Sequence, residues 1–300
     1  MYQPTARDLR ALKLANREMS VKVELDEYHQ LIDTLLYLNE GLREAKTELK
    51  YWQQYSETLL QKICFHALTI HQILNGLILK SKYYPKELNG KIIVDRASAI
   101  VLLRSKLEAY LMYRHIYVNP KTDDERELRY NAWIYASLFQ RQSFPSKTEY
   151  AQTQREKDKN ELEAIKSRIQ TFKSFKSLNK KQQIALLNAG SHKLFNHWAT
   201  ILKESGYEAN HAFSTNYAYW SAYAHSEGIS AIQLHGSPLL FDNHNRAIIS
   251  DIQTSKLIIS IMIVLLKDAF VAAEIKYNIL PDHLKYDIEF YVSLSERTKF

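Results

Sequence analysis

LLQKICFHALTIHQILNGLILK, residues 59–80, spaces Leu59, Ile63, Ala67, Ile70, Leu74 and Leu77 at steps of four and three. Those steps put every one of them on the same face of an α-helix, so the stretch predicts a helix with one buried stripe, here extending over 42–80. The same periodicity continues outward. The latter part of 21–40, VKVELDEYHQLIDTLLYLNE, reads as a helix. Tyr84-Pro85 and Asn89-Gly90 punctuate the chain before a helix over 92–118, which Asn119-Pro120 closes. Thr122-Asp-Asp-Glu125 is a capping-box pattern that starts a third helix, stopped by Pro145. Residues 147–172 alternate in charge through Glu156, Lys157, Asp158, Lys159, Glu161, Glu163 and Lys166, the pattern of a projecting exposed helix or half of a helical hairpin. Shorter helices are expected over 180–189, 191–205 (ended by Gly206) and 210–227 (ended by Gly228). After a turn-rich loop at 236–245, an apolar helix runs to about residue 278, before Pro281, and the last twenty residues form a short helix or a tail.

Composition agrees. Seven glycines and six prolines in 300 residues fall well below the roughly 35 of ordinary usage, too few for the many turns of a sandwich or barrel. A hydrophobic share of 46% builds a core and excludes wholesale disorder. The expected fold is therefore all-α, a multi-helix bundle with one projecting charged helix or hairpin. Its expected division is an N-terminal helical extension over 1–45 and a main bundle over 46–300. The opening MYQPTARDLR lacks the apolar segment of a secretory signal. LIISIMIVLL, residues 257–266, is bracketed by Lys256, Lys267 and Asp268 and is too short to span a bilayer, so it reads as a core helix. A soluble cytoplasmic protein is expected. The single cysteine, Cys64, cannot form an internal disulfide and reads as a buried thiol.

Net charge is +7, and one block carries it. From residue 164 to 203 there is no Asp or Glu, while Lys166, Arg168, Lys173, Lys176, Lys180, Lys181, Lys193 and Lys203 are all positive. Such a block attracts phosphates, hence RNA, or an acidic protein surface; otherwise it is a solvated lysine-rich face. Phe172, Phe175 and Trp198 lie within it as candidates for stacking bases, or as core.

Common chemistries drop out. Of eleven histidines, the close pairs His66/His71 and His192/His197 are five apart, which separates them by about 140° around a helix, and no Glu-x-x-His accompanies them. No metal or other cofactor is expected. The seven glycines never form a phosphate loop or dinucleotide fingerprint, and there is no Gly-x-Ser-x-Gly elbow.

Two helices carry unusual polar residues on apolar faces. In IVLLRSKLEAYLMYRHIYV, residues 100–118, Arg104 and Glu108 share a face with Ile100, Leu103, Leu107 and Leu111. A partly buried arginine needs a carboxylate, and Glu108 is placed to supply it. In NYAYWSAYAHSEG, residues 216–228, Tyr217, Ser221 and His225 recur every four residues, a polar stripe about 12 Å long. Ala218, Ala222 and Ala224 let a neighbouring helix approach.

Arg-x3-Glu-x-Tyr at Arg104, Glu108 and Tyr110, followed by Tyr-x3-Ser-x3-His at Tyr217, Ser221 and His225, resembles a bacterial all-helical family of unknown function. The likeness covers roughly residues 50–280, with Trp198 and Gly206 fitting its layout, and it implies no established activity. A wider likeness is to the HEPN class, helical bundles that often act as metal-independent ribonucleases in bacterial stress or phage defence. That class typically carries Arg-x4–6-His on one helix. Here Arg104 lies eleven residues before His115 and Arg114 adjoins it, so the pair can be rebuilt only if Arg104 meets His225 in space.

Two readings follow, with a third behind them. The preferred one is a non-catalytic binding or interaction module in which Arg104, Glu108, Tyr217, Ser221 and His225 form a buried hydrogen-bond network fixing helix register. In the alternative, a HEPN-like ribonuclease, His225 is the general acid/base, Arg104 stabilises the developing phosphorane charge, Glu108 orients Arg104, and Ser221 and Tyr217 hydrogen-bond substrate or histidine. Lys166, Arg168, Lys173, Lys176, Lys180 and Lys181 then hold the RNA backbone. The third is a small-molecule sensor pocket lined by some of the twenty tyrosines. Expected partners are RNA or an acidic protein surface at the basic block, and a second copy in a homodimer; no membrane partner is expected.

Overall fold

The computed structural model describes residues 8, 19–80, 82–83, 86–145, 147–191, 198–204, 212–235 and 240–296. It is an all-α multi-helix bundle, with a single two-stranded ribbon among the described residues. The chain divides into two compact units. The first takes its described residues from Met1–Glu48, Glu57–Tyr110 and Gly206–Phe300, the second from Leu49–Ser56 and Leu111–Ser205.

The centre of the first unit is a long helix, α1 (Val21–Glu44), packed on a second, here numbered α11 (Arg246–Ala269). Ser20 caps α1 by accepting from the Val23 amide. Leu25, Tyr28, Leu31, Ile32, Leu35 and Leu38 return every three or four residues and are all sealed. They meet the isoleucine-rich face of α11, and α12 (Val271–Asn278) and α13 (Asp282–Glu296) complete that layer. Thus the segment expected as an extension supplies a central helix of this unit. By length and composition α11 can cross a bilayer, a span longer than the ten residues read from the sequence, but 67% of its most apolar window is buried inside the molecule.

The single helix expected over 42–80 is instead broken. Lys46 takes a left-handed φ of 49°. The Thr47 and Lys46 amides bond back to the Leu42 and Arg43 carbonyls, a Schellman closure of α1. A 3-10 turn at Tyr51–Gln53 follows, then α2 (Ser56–Leu74), whose stripe Leu59, Ile63, Ala67, Ile70 and Leu74 is buried as expected. Leu77, the last member of that stripe, is 44% exposed and lies in β1 (Leu77–Ile78), antiparallel to β2 (Ile92–Ile93). Gly76, at φ 97°, makes the break, and a Cβ there would collide with the Ile92 side chain. Next comes α3 (Arg96–Tyr113), with Ala99, Ile100, Leu103 and Leu107 sealed; a wider π turn over Arg114–Val118 ends it.

In the second unit, α4 (Asp123–Arg141) begins at Thr122, which accepts from the Glu125 amide. Glu125 reaches back to the Lys121 amide rather than to that of Thr122, so only half of the expected capping box forms. Of the two forms expected for the charged helix α5 (Glu149–Thr171), the hairpin is found: it folds back on α4 as the second arm, burying Leu162, Ile165 and Ile169. Asp158, one of its alternating charges, is itself buried and pairs with Arg141 at 2.9 Å. Phe172 and Phe175, the latter in α6 (Lys173–Ser177), belong to the same core as Leu128, Tyr135 and Leu186, so they are not free to stack bases. Then follow α7 (Lys180–Ala189), opened by the reciprocal Asn179–Gln182 capping box, and α8 (Trp198–Glu204). His192, Lys193, His197, Gly206 and the 236–239 part of the expected loop lie outside the described residues.

Candidate active site

The first unit carries the segment of the Tyr217 stripe as α9 (Ala212–Ala224), followed by α10 (Gly228–His235). The helix stops earlier than Gly228 would suggest. Ser226 takes the left-handed conformation at φ 53°, the Ser226 and Glu227 amides bond to the Tyr223 and Ala222 carbonyls, and His225 sits at the C-cap. This Schellman turn carries the His225 ring at the very end of the helix, where it is exposed.

Four of the five expected residues converge. Arg104 of α3 donates through Nε to Glu108 Oε1 at 3.1 Å, one turn further along the helix. Its Nη1 lies 3.1 Å from His225 Nε2, and its Nη2 donates to the Tyr217 hydroxyl at 3.4 Å. That hydroxyl in turn donates to Glu108 Oε1 at 3.0 Å, and the guanidinium stands 5.3 Å from the Tyr217 ring centroid. The Arg-to-His distance across 121 residues is the spatial pair that the sequence lacks on any one helix. Ser221 does not join them: its hydroxyl donates to the Tyr217 carbonyl one turn back, at 2.7 Å. Tyr110, the last residue of the first motif, is sealed in the core.

The cluster lies at the protein–water boundary. The Arg104 side chain is 16% exposed and that of Glu108 29%, and solvent reaches the site through His225. Burial works against the Arg104 charge, but the bonds to Tyr217 and Glu108 outweigh it and hold the guanidinium more firmly protonated than usual. Burial, reinforced by the Glu108 charge, raises the Tyr217 phenol above its ordinary value, so it remains a donor. Arginine offers only donors, so the bond to His225 requires a lone pair on Nε2.

A second clamp joins α3 to α9, and the motif reading did not contain it. Arg96 donates to Asp251 of α11 at 2.7 Å and to the Tyr219 hydroxyl at 3.2 Å, and Tyr219 bonds Tyr223 at 3.1 Å. The sequence signal was present: Arg96 precedes Arg104 by eight residues, and Tyr219 and Tyr223 are four apart.

The basic block runs from α5 to α8 of the second unit. Lys173, Lys176, Lys180 and Lys181 are exposed, Lys166 is half-buried, and Arg168 lies 5.6 Å over the Tyr51 ring. An acid also enters the block from α4, invisible in the local sequence: Asp124 accepts from the Lys173 and Ser174 amides at 3.0 and 2.7 Å. Burial raises the Asp124 carboxyl, yet these bonds more than offset it and keep it below its ordinary value. Among the described residues no group of three or more His, Cys, Asp or Glu is placed to hold a metal ion. Compared with protein-family models, curated proteins and solved structures, the chain matches none.

Proposed function

We propose that this chain is a cytoplasmic ribonuclease of the HEPN kind, cleaving single-stranded RNA at the Arg104–His225 pair without a metal ion. The observation that carries this reading is the 3.1 Å approach of Arg104 to an exposed His225. A substrate phosphate, being charged, is a better partner for the guanidinium than a neutral imidazole. Once Arg104 turns to it, the Nε2 lone pair is free. His225 Nε2 then takes the proton of the ribose 2′-hydroxyl, and the 2′-oxygen attacks phosphorus. The phosphorus–5′-oxygen bond breaks, and that oxygen takes a proton from water. Arg104 carries the negative charge of the phosphorane, while Glu108 and Tyr217 hold it in place. The products are a 2′,3′-cyclic phosphate and a 5′-hydroxyl. The exposed lysines of α6 and α7 are the phosphate contacts in this reading.

The test is cleavage of a single-stranded RNA by purified protein with a chelator present, followed by mass analysis of the ends. Cyclic phosphate ends, and no cut where a 2′-deoxy nucleotide replaces the ribose, support the reading. Intact RNA, or ends bearing a 3′-hydroxyl, overturn it.

One observation favours the second reading, a non-catalytic interaction module. Arg104, Glu108 and Tyr217 already satisfy one another, and Ser221 satisfies its own helix. In that case His225→Ala changes stability or partner binding and no chemistry.

A further inference from the structure

Tyr51 and Tyr55 keep 39% and 45% of their surface in water although each is packed against another ring. Buried Tyr130 packs against both, edge-on to Tyr51 at 6.0 Å and stacked with Tyr55 at 6.4 Å. Trp133, one turn further along α4 and half-buried, meets Tyr55 edge-on at 6.2 Å. The Arg168 guanidinium covers the Tyr51 ring, and its Nη1 reaches Asn131 at 3.4 Å. Lys50 is exposed beside them, with its ammonium 5.8 Å from the Trp52 ring. A carboxylate also bonds into this row: Glu127 accepts from the Tyr51 hydroxyl at 2.7 Å. All of these residues belong to the second unit.

Flat rings already fixed by packing cost little to order when a flat partner arrives, and Tyr55, at 45% exposed, keeps the most surface in water. Cations at the same surface attract a polyanion, and Arg168 belongs to the stretch that has no acidic residue. Unpaired bases on a phosphate backbone meet both conditions; a paired duplex hides its base faces, and an acidic peptide has no ring to lay on the tyrosines. We infer that Tyr55 and Trp133, flanked by Lys50 and by Arg168 over Tyr51, form a stacking platform for single-stranded RNA. The inference rests on the ribonuclease reading for the identity of the ligand. It also corrects which aromatics serve, since Phe172 and Phe175 of the basic block are core.

The test uses the full chain and a fluorescent 2′-O-methyl oligouridine twelve nucleotides long, which has no free 2′-hydroxyl to attack. Anisotropy reads its dissociation constant at several salt concentrations, with thermal melting run on each variant. Tyr55→Ala is expected to weaken binding about tenfold with its salt dependence unchanged, as the loss of one stacked base would. Tyr55→Phe keeps the ring and restores binding. Arg168→Gln is expected to weaken binding and to lower the salt slope by about one. Wild-type affinity in Tyr55→Ala, equal affinity for a duplex of the same length, or no binding by the wild-type protein at low salt each overturn the platform. If binding behaves as expected and no RNA is ever cut, the platform stands and the ribonuclease reading falls. If RNA is cut but Tyr55→Ala binds like the wild type, the reverse holds.

Discussion

Arg104 and Arg129 are each paired with a glutamate four residues away on the same helix, at 3.1 Å to Glu108 and 2.7 Å to Glu125. Each also approaches a histidine ring nitrogen through Nη1, at 3.1 Å to His225 and 3.0 Å to His115. The first trio lies in the first unit and the second trio in the second. The surroundings of the two histidines are opposite. His115 is fully buried, and Arg129 also donates to the His115 backbone carbonyl at 3.0 Å, which ties the π turn to α4. His225 stands in water at the end of a helix. In the His115 trio the glutamate precedes the arginine, the order that also suits the helix dipole; in the His225 trio it follows. The same three residue types thus serve as a staple where the histidine is buried and form a candidate site where it is exposed, while the glutamates, 28% and 29% exposed, do not differ. Contact geometry alone does not separate the two; access of water to the histidine does.

The largest effect is expected deeper still. Lys256 and Glu24 are both fully buried and paired at 2.6 Å, with Glu27 at 2.7 Å and the Tyr291 hydroxyl at 3.2 Å from the same ammonium. Lys256→Met strands the Glu24 charge and should cost about 3–5 kcal/mol in urea denaturation. Cleavage per folded molecule should not change. His115→Ala should follow the same pattern more mildly. It leaves Arg129 donors without their ring partner and should cost about 1–3 kcal/mol. A variant that kept its stability but lost cleavage would break the distinction between the trios.

Lys106 sharpens the distinction by way of pH. It is fully buried, bonded to the Tyr28 hydroxyl at 3.1 Å and to the Ser255 carbonyl at 3.3 Å, and it also contacts the Ser255 hydroxyl. Burial holds its ammonium well below the ordinary lysine value of 10.5. Between that depressed value and 10.5 the unfolded chain binds the extra proton. Folding stability therefore rises with pH across this window, by about 1.4 kcal/mol per pH unit, and is lost on going down it. Lys106→Met should remove that slope and be the more stable protein at pH 7, because Ser255 and Tyr28 still bond each other at 2.5 Å. Denaturant titrations of both proteins from pH 7 to about pH 10 read the difference. A slope that is unchanged in the variant would show that Lys106 is not its source.

Tyr217→Phe is expected to have the smallest effect. It removes the hydroxyl bridging Glu108 and Arg104, and at a half-exposed site this should cost about 0.5–1.5 kcal/mol. In a catalytic trio it should also lower the cleavage rate several-fold by loosening Arg104. Melting curves and initial rates separate the two effects.

Most helices were legible because apolar spacing, caps and prolines all act locally. The α2 stripe, the Thr122 cap and the arrest before Pro145 are of this kind. Where the chain turns through a left-handed non-glycine residue, as at Lys46 and Ser226, no local signal marks the stop, and the helices end earlier than read. The two halves of the open site were legible as stripes on α3 and α9, but their meeting was not, since 121 residues separate Arg104 from His225. Nor was burial: Lys106, Lys256 and Asp158 look like surface charges in the sequence, and only packing shows them sealed. The Arg129–His115 trio escaped notice because its histidine lies before the helix that carries its arginine.

Single-turnover cleavage of one single-stranded RNA by the wild-type protein and by His225→Ala, with melting curves of both, bears most directly on the open trio. Loss of a proton-accepting group with no structural burden should slow cleavage about 10²–10⁴-fold and leave the melting temperature within about 2 °C. Equal cleavage by the two proteins would contradict the assignment of His225. So would a rate that falls only in step with a melting temperature lowered by several degrees, which would make this trio a staple like the one around Arg129.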